Sequence, residues 1–86
     1  MNENYRELAN AIVMQAVDDF RKSMTVIKKE LPEDANMWQR KSHEAQVMLA
    51  EVEVEKIKRF FYSEWFIMLT GCSGGSAFER LVKEYE

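Results

Sequence analysis

Cysteine and histidine occur once each in this chain, as Cys72 and His43. A single cysteine excludes an intrachain disulfide, and the composition fits a reducing compartment. The solitary histidine has only Glu44 as an acidic neighbour, and neither an HExxH nor a paired-cysteine pattern is present, so the spacing supports no zinc site. Long hydrophobic runs are also missing: Trp65 through Leu69 is far too short to span a bilayer. The opening Met1-Asn2-Glu3-Asn4-Tyr5-Arg6-Glu7 lacks the basic flank and apolar core of a signal peptide. The expectation is a cytoplasmic protein. Nor is there an excess of positive charge, since 12 Lys and Arg stand against 15 Asp and Glu for a net charge of -3. That balance supplies no overall attraction to nucleic acid or an anionic membrane, although it leaves room for a local basic patch.

What the chain does have is apolar residues at helical intervals. Hydrophobic residues make up 47% of the 86 and charged ones 31%, which argues against disorder along the whole chain and for one small domain over residues 1–86. Tyr5, Leu8, Ala9, Ile12, Val13, Ala16, Val17, Phe20, Met24 and Ile27 predict a first helix from about Tyr5 to Lys29, with Asn4 and Glu7 at capping-box spacing. These side chains occupy about half the circumference, more than one partner helix covers. Asn10, Gln15, Asp19 and Arg21 flank that arc, where a polar side chain can bond across a helix junction.

Pro32 breaks the period within Leu31–Asn36. Asn36 and Gln39 again have capping-box spacing, with Asp34 as an alternative cap. A second helix follows from about Met37 to Tyr62, antiparallel to the first across the short connection. Val47, Ala50, Val54, Ile57 and Phe61 line one side of it, whereas Ala45, Met48, Leu49 and Val52 fall about 100° to 200° away round the cylinder. Both faces cannot meet the first helix together. The second set is therefore a candidate contact surface for another copy of the chain or for a different protein.

Ser63 either caps a further helix from Glu64 or lies inside one continuous helix running to Thr70. The aromatic concentration Phe60, Phe61, Tyr62, Trp65 and Phe66 reads as core. Gly71-Cys72-Ser73-Gly74-Gly75 ends the region as a flexible bend without the Lys-Ser/Thr ending of a P-loop, and any anion bound there would meet the amides around Ser76. Ser76 and Glu79 predict the cap of a last helix whose stripe is Phe78, Leu81, Val82 and Tyr85; at about ten residues it must dock to persist. The fold class expected is all-α, a hairpin of two long helices with a shorter C-terminal helical segment.

No catalytic constellation emerges. Cys72 beside Ser73 has no histidine near it in sequence, and the clustered charges Asp18, Asp19, Arg21, Lys22 and Glu51 through Arg59 read as solvated faces or ion pairs. The hairpin turn brings Lys28 and Lys29 toward Arg40 and Lys41, a basic end that could contact phosphate, with Glu30, Glu33 and Asp34 diluting its potential. Neither a cofactor nor a metal is expected.

The blocks Ala9-Asn10-Ala11-Ile12-Val13-Met14-Gln15-Ala16-Val17-Asp18-Asp19-Phe20-Arg21 and Phe60-Phe61-Tyr62-Ser63-Glu64-Trp65-Phe66-Ile67-Met68-Leu69-Thr70 resemble an uncharacterised group of small helical proteins carried by bacteriophages and mobile elements of Gram-positive bacteria. The resemblance covers most of the chain. It implies an accessory role in a phage or mobile-element setting, inhibition of a host defence protein being conceivable, and it carries over no catalytic residue. Those proteins often have a more acidic turn where this chain has Gly71 through Gly75, so no role passes to that turn. The expected function is a non-enzymatic, self-associating module acting through helix-mediated protein contacts. Nucleic-acid binding at the basic end is the alternative.

Overall fold

The computed structural model describes residues 3–86. Met1 and Asn2, which open the segment weighed above as a leader, lie outside the described residues. The described residues form four helices, α1 (Glu3–Lys28), α2 (Met37–Phe61), α3 (Glu64–Thr70) and α4 (Gly75–Lys83), and no strand. α1 and α2 make the antiparallel hairpin. α3 returns against α1 and α2, and α4 docks on α2.

Local chemistry sets most of the boundaries. After α1, the Pro32 carbonyl accepts from the Ala35 amide at 3.0 Å, closing a turn. Asn36 then starts α2 with a complete capping box: the Gln39 amide donates to Asn36 Oδ1 at 2.8 Å, and the Asn36 amide donates to Gln39 Oε1 at 3.0 Å. Asp34, the alternative cap, plays no such part. Ser63 resolves the open question at the end of α2. Its hydroxyl donates to the Phe60 carbonyl at 2.6 Å and accepts from the Phe66 amide at 3.2 Å, so it ends one helix and caps the next.

Two caps differ from expectation. α1 already includes Glu3, so Asn4 lies within the helix rather than at its cap. α4 starts at Gly75 with Gly74 as its N-cap and no side-chain cap bond, leaving Ser76 inside the helix. The reason is tertiary: Gly74 is buried against the Phe61 backbone and the Phe66 ring, and this contact sets where the chain can turn.

The core gathers at one end of the hairpin. Phe20 from α1, Ile57 and Phe61 from α2, Phe66 from α3 and Phe78 and Leu81 from α4 form one buried cluster, with Val13, Val17, Met24, Val54, Phe60 and Tyr85 packed round it. Phe20 meets Phe78 and Tyr85 edge-on at ring separations of 5.5 and 5.8 Å, within the favoured range for aromatic pairs. The inner line of α2 is as predicted: Ala50, Ile57 and Phe61 are buried, and Val47 and Val54 half-buried. The aromatic block is only partly core, because the break at Ser63 leaves Tyr62 and Trp65 more than half exposed. Tyr5 and Leu8, in the apolar arc of α1 that is wider than one partner helix covers, are exposed; seven-residue α3 is too short to roof the N-terminal end of α1 completely.

The shape is a rod, 56 × 24 × 17 Å, with a radius of gyration of 16.1 Å. A compact chain of this length has about 12 Å. The excess arises because α3 and α4 thicken one end only. The other end, comprising the N-terminal half of α2 and the C-terminal part of α1, is two helices thick, so side chains of α2 that point away from α1 have nothing among the described residues to cover them.

Candidate functional site

That uncovered side of α2 carries the residues singled out by periodicity. Ala45 is exposed, and Met48, Leu49 and Val52 have relative exposures of 67%, 72% and 54%. On the opposite side of the same helix Ala50 and Ile57 are buried. At about 100° per residue, Met48 and Val52 both stand roughly 160° from Ala50, which places them directly away from α1. Asn36 caps α2 at one end, and Ile57 and Phe61 pack into the core at the other, so the helix carrying this face is anchored on both sides of it.

The face extends further than the periodic reading placed it. Trp38, at 81% the most exposed large hydrophobic side chain among the described residues, lies seven residues before Ala45, and Ala45 seven before Val52. That recurrence was available in the sequence. It is easily overlooked because Lys41 and Ser42 interrupt it. Beside the face, Leu49 contributes to a shallow groove whose other wall is Lys22, Ser23 and Val26 of α1.

The basic end is less well assembled. Lys28 is the last residue of α1, Lys29 lies in the connection, and Arg40 and Lys41 occupy the start of α2; all four are exposed. Arg40 turns back into the connection, its guanidinium Nη2 donating to the Glu33 carbonyl at 3.3 Å. Exposed Glu30, Glu33 and Asp34 share the same turn.

Cys72 is an exposed free thiol. Its amide donates to Thr70 Oγ1 at 3.1 Å, and that hydroxyl lies 3.2 Å from the Cys72 carbonyl and 2.9 Å from the Phe66 carbonyl, so the loop is pinned by Thr70. His43 is half-buried on α2. Among the described residues, no three of His, Cys, Asp and Glu come together as a metal site. No helix among them is long and apolar enough to cross a membrane.

A cleft of about 450 Å³ absent from the sequence reading opens between the start of α1 and α3, lined by Tyr5, Arg6, Ala9, Asn10, Met68 and Thr70 among others. The Tyr5 hydroxyl reaches the Met68 carbonyl across it at 3.4 Å. It joins residues some sixty positions apart, which local spacing does not reveal.

Of the polar residues flanking α1, Arg21 bonds across a junction, to Glu84 at 3.2 Å. Gln15 instead donates along its own helix to Asp19 at 3.0 Å. The Glu84 hydrogen bond, and then its charge, raise the Arg21 pKa above the ordinary arginine value. The chain matches no protein-family model, and neither a curated protein nor a solved structure matches it.

Proposed function

We propose that this protein is a non-enzymatic interaction module that binds another protein chain through the outer face of α2. One observation carries the reading: Trp38, Ala45, Met48, Leu49 and Val52 stand exposed along one side of a helix whose other side is already committed to its own core. Leaving such a stripe in water forgoes about 25 cal/mol for each Å² of apolar surface that a partner would cover. The supporting helix is capped at its start by Asn36 and packed into the core at its end by Ile57 and Phe61, which favours a preformed helical contact surface. The resemblance of the two blocks to phage and mobile-element proteins supplies the setting, an accessory protein whose partner is a second copy or a host protein, inhibition of a host defence protein included. Such a role needs a surface and no reacting group.

The test compares the wild-type chain with Met48→Glu/Val52→Glu as tagged baits in a lysate of the cells that carry the gene. Both substitutions lie at exposed positions, so helicity by far-UV circular dichroism should be unchanged. Proteins held by the wild type and lost by the variant are the expected result. Identical retention by both would sink the reading.

A further inference from the structure

We infer that the open groove between α1 and α2 receives an amphipathic helix of another protein, one with an arginine at the centre of its apolar stripe. The hairpin has two grooves, one on each side. α4 fills the first: Phe78 lies against Phe20 of α1 and Phe61 of α2, with ring centroids 5.5 and 5.8 Å apart, and Glu84 pairs with Arg21 at the rim. The second groove lies on the opposite side, since Asp19 stands about 160° round α1 from Arg21, and Glu53 about 140° round α2 from Lys58, beside which α4 packs. Among the described residues nothing is seated in it, yet it is built to the same plan. Ile12, Ala16, Asp19, Ser23 and Val26 line it from α1. Gln46, Leu49, Glu53, Lys56 and Phe60 line it from α2. Both sets alternate steps of three and four residues, the spacing by which one helix packs lengthwise on another. From Ile12 to Val26 the groove runs for about 21 Å, or four helical turns.

Charge names the occupant. Asp19 and Glu53 line the middle of the groove together, and both are half-buried. Neither has an ion-pair partner among the described residues; Asp19 accepts one hydrogen bond, from Gln15 at 3.0 Å. Two carboxylates partly withdrawn from water beside the same space repel each other, and each gains from a cation. An arginine entering between them meets both needs, because its planar fork donates to two carboxylates at once. Lys22 and Lys56, the two cations of the lining, do not fill this place. Each is exposed, three residues along its own helix from the carboxylate and about 60° further round toward solvent. They favour acidic residues at the edges of the incoming stripe, one turn to either side of its arginine. Apolar side chains flank the carboxylates along the groove, Leu49 on one side and Ala16 and Ile57 on the other.

This chain holds no such stripe in reserve. Of its arginines, Arg21 is the one with apolar residues a turn away on both sides, Val17 and Met24. Those two pack on the core, and Arg21 itself pairs with Glu84. The occupant is therefore a different protein rather than a second copy. The groove is also distinct from the outer face of α2: Leu49 borders both, but Met48 and Val52 do not line the groove.

The test is a selection against the full chain from a displayed library of helical peptides, four to five turns long, with one face randomised. Bound peptides should share an arginine with apolar residues three or four positions to each side. Fluorescence anisotropy with the tightest of them should show binding weakened at least about tenfold by Asp19→Asn/Glu53→Gln, the loss of a charge-assisted contact. Met48→Glu/Val52→Glu should leave that affinity unchanged, with the same helicity by far-UV circular dichroism in all three chains. Bound peptides that lack the arginine, an empty selection, or affinity that survives removal of both carboxylates would each overturn the inference. So would affinity lost with Met48 and Val52, which puts the peptide on the outer face. A dimer of the chain alone that dissociates on Asp19→Asn/Glu53→Gln, followed by sedimentation, would overturn it in favour of a second copy.

Discussion

Arg21, two turns before the end of α1, donates through Nη2 to Glu84 Oε1 at 3.2 Å, bridging 63 residues of sequence and tying the C-terminal end of the chain to the long hairpin. Both side chains remain about half exposed, at 49% and 47%, so water and salt screen the pair. Arginine is charged at any working pH, and the contact with Glu84 favours that charged form further. Glu84→Gln should therefore speed amide exchange at Glu84 and Tyr85 while barely moving the melting temperature. The difference from wild type should fade as ionic strength rises. A large loss of global stability would show that the pair does more than pin the terminus.

The ring cluster should dominate stability. Phe20 and Phe61 are each 1% exposed and join helices distant in sequence. Truncating either to Ala removes the ring and leaves a cavity, at a cost of about 3–5 kcal/mol. A domain of this size has a total stability of roughly 4–13 kcal/mol, so Phe61→Ala should sharply lower the urea midpoint and could leave the chain largely unfolded. Met48→Ala, at an exposed position of the same helix, should leave the midpoint of the monomer almost unchanged. Comparable midpoints for the two variants would contradict the burial described here.

How far these features were legible in the sequence depended on how local their causes are. The two long helices, the turn at Pro32, the Asn36–Gln39 box and the inner line of α2 each follow from residues within a few turns of one another, and each is present. The exposed positions of Met48 and Val52 were equally readable, because a straight helix cannot turn two opposite sides to one neighbour. Ser63 was ambiguous because a capping serine and an interior helical serine share the same local sequence; packing of Phe66 against Phe61, with ring centroids 4.9 Å apart, accompanies the break. The start of α4, the cleft beside Tyr5 and the partner of Arg21 depend on chain returns that no spacing rule contains.

The two serviceable caps make a matched pair for measurement. Asn36 and Ser63 each accept a hydrogen bond from an amide three residues on. Replacing an N-cap oxygen with Ala costs about 1 kcal/mol. Asn36→Ala should lower the unfolding free energy by that amount, seen as a lower urea midpoint at unchanged m, and fray only the exposed start of α2. Ser63→Ala should cost at least as much, because its hydroxyl also donates to the Phe60 carbonyl at 2.6 Å and the junction it holds positions Phe66 in the core. Equal exchange protection of the Phe66 amide in wild type and Ser63→Ala would refute this account of the break.

Gly71 and Gly74 are close in sequence but glycine is needed at each for a different reason, and alanine separates them. Gly71 closes α3 with φ +74° and donates its amide to the Ile67 carbonyl at 2.7 Å, with open space where a Cβ would stand. Gly71→Ala therefore meets only the left-handed backbone penalty, about 1–2 kcal/mol. Gly74 has an ordinary φ of -81°, so its backbone imposes no such penalty. A Cβ there would instead run into the Phe61 carbonyl and come within 2.9 Å of Phe66 Cδ1. Because one wall is backbone, relief requires α4 to move off α2, and Phe78 and Leu81 would leave the cluster with it. Gly74→Ala should accordingly be the more damaging substitution, with loss of near-ultraviolet circular dichroism from the packed rings. The reverse order of denaturation midpoints would show that backbone conformation, rather than the seating of α4 on Phe61, governs this bend.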